Sequence, residues 1–200
     1  MFIEKTAFEP RITNNRNDDL CNITGRYQES GADADCSAGI LCVRGENLPC
    51  AGFPNVKNEN AFYMEAAGAN ANAATGIYAC NTYETQMLAG RHGNAYYIGT
   101  ETLGLGIPAG RDGTFTEIVF NGKTTYRFGI GNLSAELGSN KFFTIANGML
   151  VPAAAAPTGN GAIYFELKDP GTGNFTEGTT SSFEYIDVFA KTVVSAVAAG

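Results

Sequence analysis

The chain has 200 residues, 44% of them hydrophobic and 16% charged, with a formal net charge of −7. That length allows one large or two small domains, and no stretch approaches the ~18 apolar residues of a membrane-spanning helix. The 13 basic residues form none of the clusters that bind a nucleic-acid backbone or an anionic bilayer. Nucleic acids and membranes are therefore not expected partners.

The first 19 residues are polar and show no apolar periodicity, so they predict an extended N-terminal arm that a partner would order. An early acid and the lack of an apolar core segment predict that no secretory leader is present. Beyond the arm, composition suggests an N-terminal β and loop region over 20–90 and a C-terminal β body over 91–200. These two regions could also form one continuous domain.

The region after the arm gives few strong signals. Ile40–Val43 is a short apolar run bounded by glycines and predicts a buried strand. Asn60–Glu65 fits either a strand or the first turn of a helix, and Ala66–Ala74 is broken by Gly and Asn, which favours an irregular loop. Ile77–Tyr83 and Ala95–Ile98 then predict strands.

Two Asn-Gly pairs predict two-residue hairpins, because type I′ turns need positive φ at both central positions. Asn121-Gly122 would join Phe115–Phe120 to Lys123–Phe128, with Phe115 opposite Phe128. Each of these strands has an aromatic or β-branched residue at most positions, which is typical of paired strands.

The second pair, Asn147-Gly148, would join Phe142–Ala146 to Met149–Pro152. This register places Ile145 opposite Leu150, and Pro152 would end the ladder because proline has no N–H to donate.

Two later segments alternate apolar and polar residues, one around Phe165 and one around Tyr185. Together with the hairpins they predict a mainly β fold, a hairpin-rich antiparallel barrel or sandwich with an irregular N-terminal region and an extended N-terminal arm.

The five cysteines, at positions 21, 36, 42, 50 and 80, predict reduced thiols rather than a disulfide framework, since their number is odd and no leader is expected. Their spacing lacks the tight C-x2-C pair of structural zinc sites, and His92 is distant in sequence, so no metal site is expected. Three glycosylation sequons, at Asn22, Asn132 and Asn174, are interpreted as chance occurrences.

No catalytic group of residues is predicted. The glycines of Gly104–Gly110 are interrupted by Pro108 and are followed by a predicted hairpin, whereas a dinucleotide site needs a helix N-terminus there. His92 beside Arg91 has no nucleophile motif nearby. Several acids could serve a glycosidase or, for the first two, a calcium site, but sequence fixes no separation between them. They are Asp33, Asp35, Glu117, Glu166, Glu177 and Glu184. The chain is therefore predicted to be no enzyme and to need no cofactor.

Four segments resemble small structural proteins of tailed bacteriophages, and the class they resemble best is the capsid decoration, or cement, proteins. They are Thr24–Cys36, Asn81–Tyr83, Thr102–Arg111 and Phe143–Pro157, within a likeness that runs from about Gly25 to Ala190.

The resemblance implies a non-enzymatic virion protein, assembled in the bacterial cytoplasm, that binds the outside of the capsid and stabilises contacts between major capsid protein subunits. It also implies a homo-oligomer, most plausibly a trimer, because capsids are symmetric. The arm residues would then be the interface with the shell. They are Phe2, Ile3, Phe8, Pro10, Arg11, Ile12 and Arg16.

Two alternatives remain open at this point. One is a receptor- or carbohydrate-binding module of a phage head or tail fibre, against which the absence of Trp weighs mildly. The other is a hydrolase that uses the carboxylates named above.

Overall fold

The structure of the protein, a computed structural model, describes residues 3, 5–11, 21–81, 106–173 and 183–194. Within these ranges the chain is mainly β, as predicted, and forms two six-stranded sheets. Two short 3₁₀ turns, Ala73–Thr75 and Ile130–Asn132, are the helical elements of the described chain. Among the described residues, no helix is both long and apolar enough to cross a bilayer.

The first sheet, sheet I, is antiparallel throughout. Its strands in spatial order are β1 (Phe8–Arg11), β8 (Thr125–Gly129), β12 (Phe183–Thr192), β11 (Ile163–Gly173), β9 (Phe142–Ala146) and β10 (Met149–Ala153). Strands from both ends of the chain therefore meet in one sheet.

The second sheet, sheet II, closes on itself. Its strands in spatial order are β3 (Ala32–Asp33), β2 (Asn22–Glu29), β5 (Phe53–Ala66), β4 (Leu41–Cys50), β6 (Tyr78–Cys80) and β7 (Gly113–Glu117). Since β2 pairs with β5 on one side and with β7 on the other, the five strands β2, β5, β4, β6 and β7 form a closed ring. We call this ring the barrel. Closure removes the sheet edges that the barrel strands would otherwise expose.

The described residues pack into two hydrophobic cores. The sandwich core lies between sheet I and the outside of the barrel, and the barrel core lies inside the ring. Successive residues of one strand belong to different cores, because successive side chains in a strand point to opposite faces. Leu41 and Ala79 belong to the sandwich core, whereas Cys42, Tyr78 and Cys80 belong to the barrel core.

The predicted hairpin at Asn147-Gly148 is confirmed. Both residues have positive φ, 49° and 73°, as a type I′ turn requires. Ile145 pairs with Leu150, as predicted. The ladder continues one residue past Pro152, to Ala153, so the prediction that Pro152 ends it is wrong. Proline is tolerated here because β10 is the last strand of sheet I.

The predicted hairpin at Asn121-Gly122 is wrong. The strand before it, β7, pairs with β2 and β6 in the barrel, whereas the strand after it, β8, pairs with β1 and β12 in sheet I. Asn121 turns the chain with its side chain, whose Oδ1 accepts hydrogen bonds from the N–H groups of Lys123 and Thr124 at 2.8 and 2.9 Å. This turn carries the chain from one sheet to the other.

The remaining strand predictions differ mainly in extent. The run Ile40–Val43 is the start of the longer strand β4. The strand β6 lies within the predicted strand Ile77–Tyr83, whose last two residues lie outside the described residues. The ambiguous segment Asn60–Glu65 is the end of β5. The predicted strand Ala95–Ile98 lies outside the described residues.

The described end of the predicted arm is part of the body. Phe8–Arg11 forms β1 and pairs with β8, so this chain's own sheet orders it. The sheets also cross the boundary suggested at residue 90, because the barrel includes β7 from the predicted C-terminal body.

Candidate interaction surfaces

The acidic residues around Asp33 form an ion-pair network at the outside of the barrel. Arg26 donates through Nε to Asp112 Oδ1 at 2.7 Å, and its guanidinium lies 4.0 Å from Asp33. Gln28 donates to the other oxygen of Asp33 at 3.0 Å. Asp33, one of the two predicted calcium-ligand candidates, is therefore engaged with a cation and an amide.

Asp35 holds the glycine-rich segment against the barrel. Its Oδ1 accepts a hydrogen bond from the backbone N–H of Ala109 at 2.9 Å, and this bond lowers the pKa of the carboxyl group. Next to it, Cys36 and Ile107 exchange two backbone hydrogen bonds of 2.9 and 2.8 Å. The segments 33–36 and 106–109 are thus in direct contact.

Gly106 is needed for this contact. A Cβ at this position would lie 1.7 Å from the carbonyl oxygen of Cys36, which no side chain can tolerate. The glycine-rich segment superficially matches a dinucleotide fingerprint. Its described part, residues 106–110, instead allows two backbone segments to pack closely.

The other chemical candidates are dispersed. Glu166 forms an ion pair with Lys191 on sheet I, while Glu117 lies at the end of β7 in the barrel. Arg91, His92 and Glu177 lie outside the described residues. Within the described ranges, no three His, Cys, Asp or Glu side chains are grouped so that they could hold a metal ion.

All five cysteines are free. Cys36, Cys42 and Cys80 are buried together in the barrel core, where Cys80 lies with its Sγ 3.6 Å from the carbonyl oxygen of Cys36. Burial raises the pKa of the Cys36 thiol, so the thiolate that reacts with oxidants or metals is disfavoured there. Cys50 is partly exposed and Cys21 is exposed.

Asn132 joins the two sheets. Its buried side chain accepts a hydrogen bond from the N–H of Ala7, just before β1, and donates to the carbonyl of Ala38, just before β4, at 3.0 and 2.8 Å. The sequon at Asn132 is therefore inaccessible to glycosylation in the folded chain.

The outer face of sheet I carries a nearly buried ion pair. Arg127 donates twice to Asp187, at 2.7 and 2.8 Å, and its guanidinium lies 3.6 Å from the ring centre of Tyr185. Such bidentate, stacked geometry fixes the pairing of β8 with β12. We interpret it as structural.

The most prominent exposed element is the projecting part of the β4–β5 hairpin, residues 44–60, which we call the ribbon. It begins where β4 loses its partner β6 after Cys42, and it ends where β2 joins β5 at Ala61. Every residue from 51 to 60 is exposed. A two-stranded ribbon of this kind buries little of its own surface and is suited to contact with another molecule.

Within the ribbon the pairing is irregular. The register shifts at several points between Arg44 and Cys50, so residues bulge out of β5. Asn47 donates through Nδ2 to the carbonyl of Asn58 at 2.7 Å, and Lys57 lies 3.5 Å from Glu46. These side-chain bonds hold the two strands together where the ladder is interrupted.

Exposed apolar side chains concentrate on the ribbon. Four large apolar residues of the described chain are exposed, and two of them, Phe53 at 67% and Val56 at 53%, lie near the ribbon tip. The others are Ile3 at 41% and Val194 at 81%. Sequence reasoning missed this surface because the ribbon shows no alternation of apolar and polar residues. A signal was present in Ala51-Gly52, a small-residue pair flanked closely by Pro49 and Pro54.

Only some of the arm residues predicted to form an interface are described by the structure, and not all of those are exposed. Phe8 is 2% exposed, and its ring lies tilted against that of Phe128 with 5.3 Å between ring centres. It is therefore a core residue, which corrects its assignment as an interface residue. Ile3 is exposed, and its N–H donates to Ser37 at 2.8 Å. Pro10 lies partly exposed on the edge strand β1, and the backbone of Arg11 pairs with β8. Phe2, Ile12 and Arg16 lie outside the described residues.

A cavity of about 540 Å³ opens at one end of the barrel. It is lined by polar groups from the ends of β2 and β5, among them Glu29 and Glu65, and by Asn147 from the turn between β9 and β10. Its one aromatic residue, Tyr27, is buried and donates a hydrogen bond to Glu29 at 3.2 Å, so no open ring face is available for stacking on a sugar.

The described residues thus offer exposed apolar projections and no assembled reactive centre. Comparison with protein-family models, with curated protein sequences and with solved structures gives no match.

Proposed function

We propose that this chain is a non-enzymatic virion structural protein that binds the outside of a bacteriophage capsid and stabilises contacts between major capsid protein subunits. The observation that carries the proposal is the ribbon, an exposed two-stranded projection with Phe53 and Val56 near its tip. Exposed apolar groups on a projection are typical of surfaces that become buried in a partner.

Two further features support this function. Two of the segments that resemble phage decoration proteins contact each other on the barrel, through the hydrogen bond from the Ala109 N–H to Asp35. The candidate carboxylates Asp33 and Glu166 are engaged in ion pairs. A protein that holds neighbouring capsomers together needs a folded body and exposed surfaces that contact the shell, and the ribbon offers such a surface.

The test is the copy number of the chain in gradient-purified particles from its source, measured by mass spectrometry against the major capsid protein. We expect hundreds of copies in a simple ratio with the capsid subunit. A few copies per particle would indicate a tail or fibre protein, and absence from particles would overturn the proposal.

A second experiment tests the ribbon itself. We expect that Phe53→Ser combined with Val56→Ser abolishes rebinding of the purified chain to particles that lack it, measured by co-sedimentation. Val194→Ser is the matched control, because Val194 is more exposed than either residue and follows β12, away from the ribbon. Equal loss with the control, or no loss with the ribbon variant, would exclude the ribbon as the shell contact.

The N-terminal contact needs a narrower test than removal of the whole arm. Deletion of residues 1–19 would remove β1 and with it Phe8 from the sandwich core. Ile3→Ser leaves β1 in place and removes an exposed apolar side chain. We expect it to weaken shell binding while the unfolding transition stays unchanged.

A further inference from the structure

The outer edge of β5 within the ribbon is open. No strand of the described chain pairs with β5 on this side before Ala61, where β2 begins its pairing. Pro54 limits the open stretch at the other end because it has no N–H. A short segment, residues 55–60, therefore has no neighbouring strand on this side. Within it, the carbonyl of Asn58 is bonded to Asn47 of the same ribbon and the N–H of Asn60 is bonded to the side chain of Asn58.

The orientation of the backbone at Lys57 follows from its partner. Lys57 pairs with Pro49 on β4, and a proline cannot donate, so this pair is of the non-hydrogen-bonded kind. In such pairs the N–H and C=O groups of both residues point away from the shared ladder. The backbone groups of Lys57 are therefore directed toward the open edge.

The charges along this edge are arranged around Asn58. Lys57 precedes it and Glu59 follows it, and the flanking Val56 and Asn60 are neutral. When a strand pairs antiparallel with a second copy of itself about a two-fold axis at Asn58, Lys57 of each copy lies opposite Glu59 of the other. Opposite charges at directly paired positions stabilise a sheet, whereas like charges destabilise it.

The charge of the whole chain also favours the ribbon as the place where two copies meet. The chain carries a net charge of −7, so most of its surface repels a second copy. Within the ribbon, residues 44–60, two basic and two acidic side chains cancel. They are Arg44, Lys57, Glu46 and Glu59.

We propose that two copies of this chain associate through the open edges of β5, antiparallel and centred on Asn58, with reciprocal Lys57–Glu59 contacts. The contact extends the two ribbons into one four-stranded sheet and is isologous, as closed two-fold assemblies are. Lys57 also lies 3.5 Å from Glu46 of its own ribbon, but an ammonium group has three donors and can serve both carboxylates. The edge is short, so association through it is weak and depends on concentration. The dimer fraction rises where copies are held close together.

The proposal is independent of binding to a capsid and is tested on the purified full chain. Sedimentation velocity over a concentration series at low salt is expected to show a monomer–dimer equilibrium for the wild type. Lys57→Glu and Glu59→Lys each place like charges opposite one another, so each variant alone is expected to dimerise at least tenfold more weakly. An equimolar mixture of the two variants restores both opposite-charge pairs and is expected to dimerise like the wild type.

Matched control variants distinguish the effect of charges at the paired positions from the effect of a changed net charge. Lys123→Glu and Glu136→Lys make the same charge changes at exposed positions away from the ribbon and are expected to leave the equilibrium unchanged. The double variant K57E/E59K exchanges the two charges and is expected to dimerise like the wild type.

Three results would overturn the proposal. One is a wild-type chain that stays monomeric throughout the series. Another is dimerisation that both single variants leave intact, as it would be if another face, or a trimer contact, joined the copies. The third is a mixture of single variants that stays as weak as its components. Circular dichroism of each variant checks that the body is folded.

Discussion

The two cores of this protein are built by different means. The sandwich core consists mainly of aliphatic side chains packed around five aromatic rings, and Phe128 and Phe165 meet edge to face at 5.9 Å. The barrel core contains three cysteines, Met64 and three aromatic rings, and backbone segments approach each other closely there. A Cβ at Gly25 would lie 2.4 Å from the side chain of Met64, just as one at Gly106 would overlap the chain at Cys36.

The two cores are therefore expected to be sensitive to different substitutions. In the barrel, glycines allow backbone segments and side chains to approach closely, and the narrow interior of a five-stranded ring leaves no room for added atoms there. Between the two sheets, large buried side chains fill the space, so removal of one of them leaves a cavity. An added atom should therefore be most damaging at the close approaches in the barrel, and removal of a fully buried ring should be strongly damaging in the sandwich.

The largest effect is expected for an added methyl group in the barrel. Gly106→Ala puts a Cβ into the carbonyl oxygen of Cys36 and forces the two segments apart. We expect a loss of more than about 4 kcal/mol in the free energy of unfolding, measured by urea denaturation. Gly68→Ala is the control, because no atom lies within 4 Å of a Cβ at that position. A small effect at Gly106 would mean that the segment around it packs differently.

A nearly equal loss is expected when an aromatic ring is removed from the sandwich. Phe165→Ala empties a fully buried site and should destabilise the protein by about 3–5 kcal/mol in thermal unfolding by calorimetry. Cys42→Ala removes only one sulfur atom from the barrel and should cost about 1 kcal/mol. Equal losses for the two variants would contradict the proposed division between the cores.

Loss of the hydrogen bonds that join the two regions should cost less stability than damage to either core. Asn132→Ala leaves the N–H of Ala7 and the carbonyl of Ala38 without their buried partner, which should cost about 1–3 kcal/mol. Hydrogen exchange at Ala7 should speed up more than exchange inside the barrel. Asn140→Ala, which removes a local and partly exposed bond to Leu137, should change exchange at Ala7 very little.

The smallest effect concerns alkaline pH. Burial raises the pKa of Tyr126 to about 12, above its value of about 10 in the unfolded chain. The folded chain keeps the Tyr126 proton to a higher pH than the unfolded chain does. The stability that this provides is therefore complete below pH 10 and is lost as pH rises toward 12. We expect about 1 kcal/mol less stability at pH 11, and Tyr126→Phe should flatten this dependence.

The sequence predicted the β class and the hairpin at Asn147-Gly148 because local turn chemistry and alternation specify both. The same dipeptide at Asn121-Gly122 was misleading. Its flanking strands find partners far along the chain, β2 for β7 and β1 for β8, and no local pattern encodes that choice.

The candidate surfaces were predicted less well than the fold. Phe8 looked like an arm residue because the first 19 residues are largely polar, yet its ring is buried in the sandwich core and β1 pairs with β8. The ribbon was missed because bulges interrupt its ladder, so its strands lack the period of two that marks a paired strand in sequence.

The placement of β1 has a consequence for how the chain matures. Phe8–Arg11 leaves the ribosome early, but its partner Thr125–Gly129 is made only after more than half of the chain. The barrel likewise waits for Gly113–Glu117 before β2 gains its second neighbour. Such distant pairings slow folding and leave apolar strands uncovered during synthesis. Nascent chains halted before residue 113 are therefore expected to require chaperones to stay unaggregated.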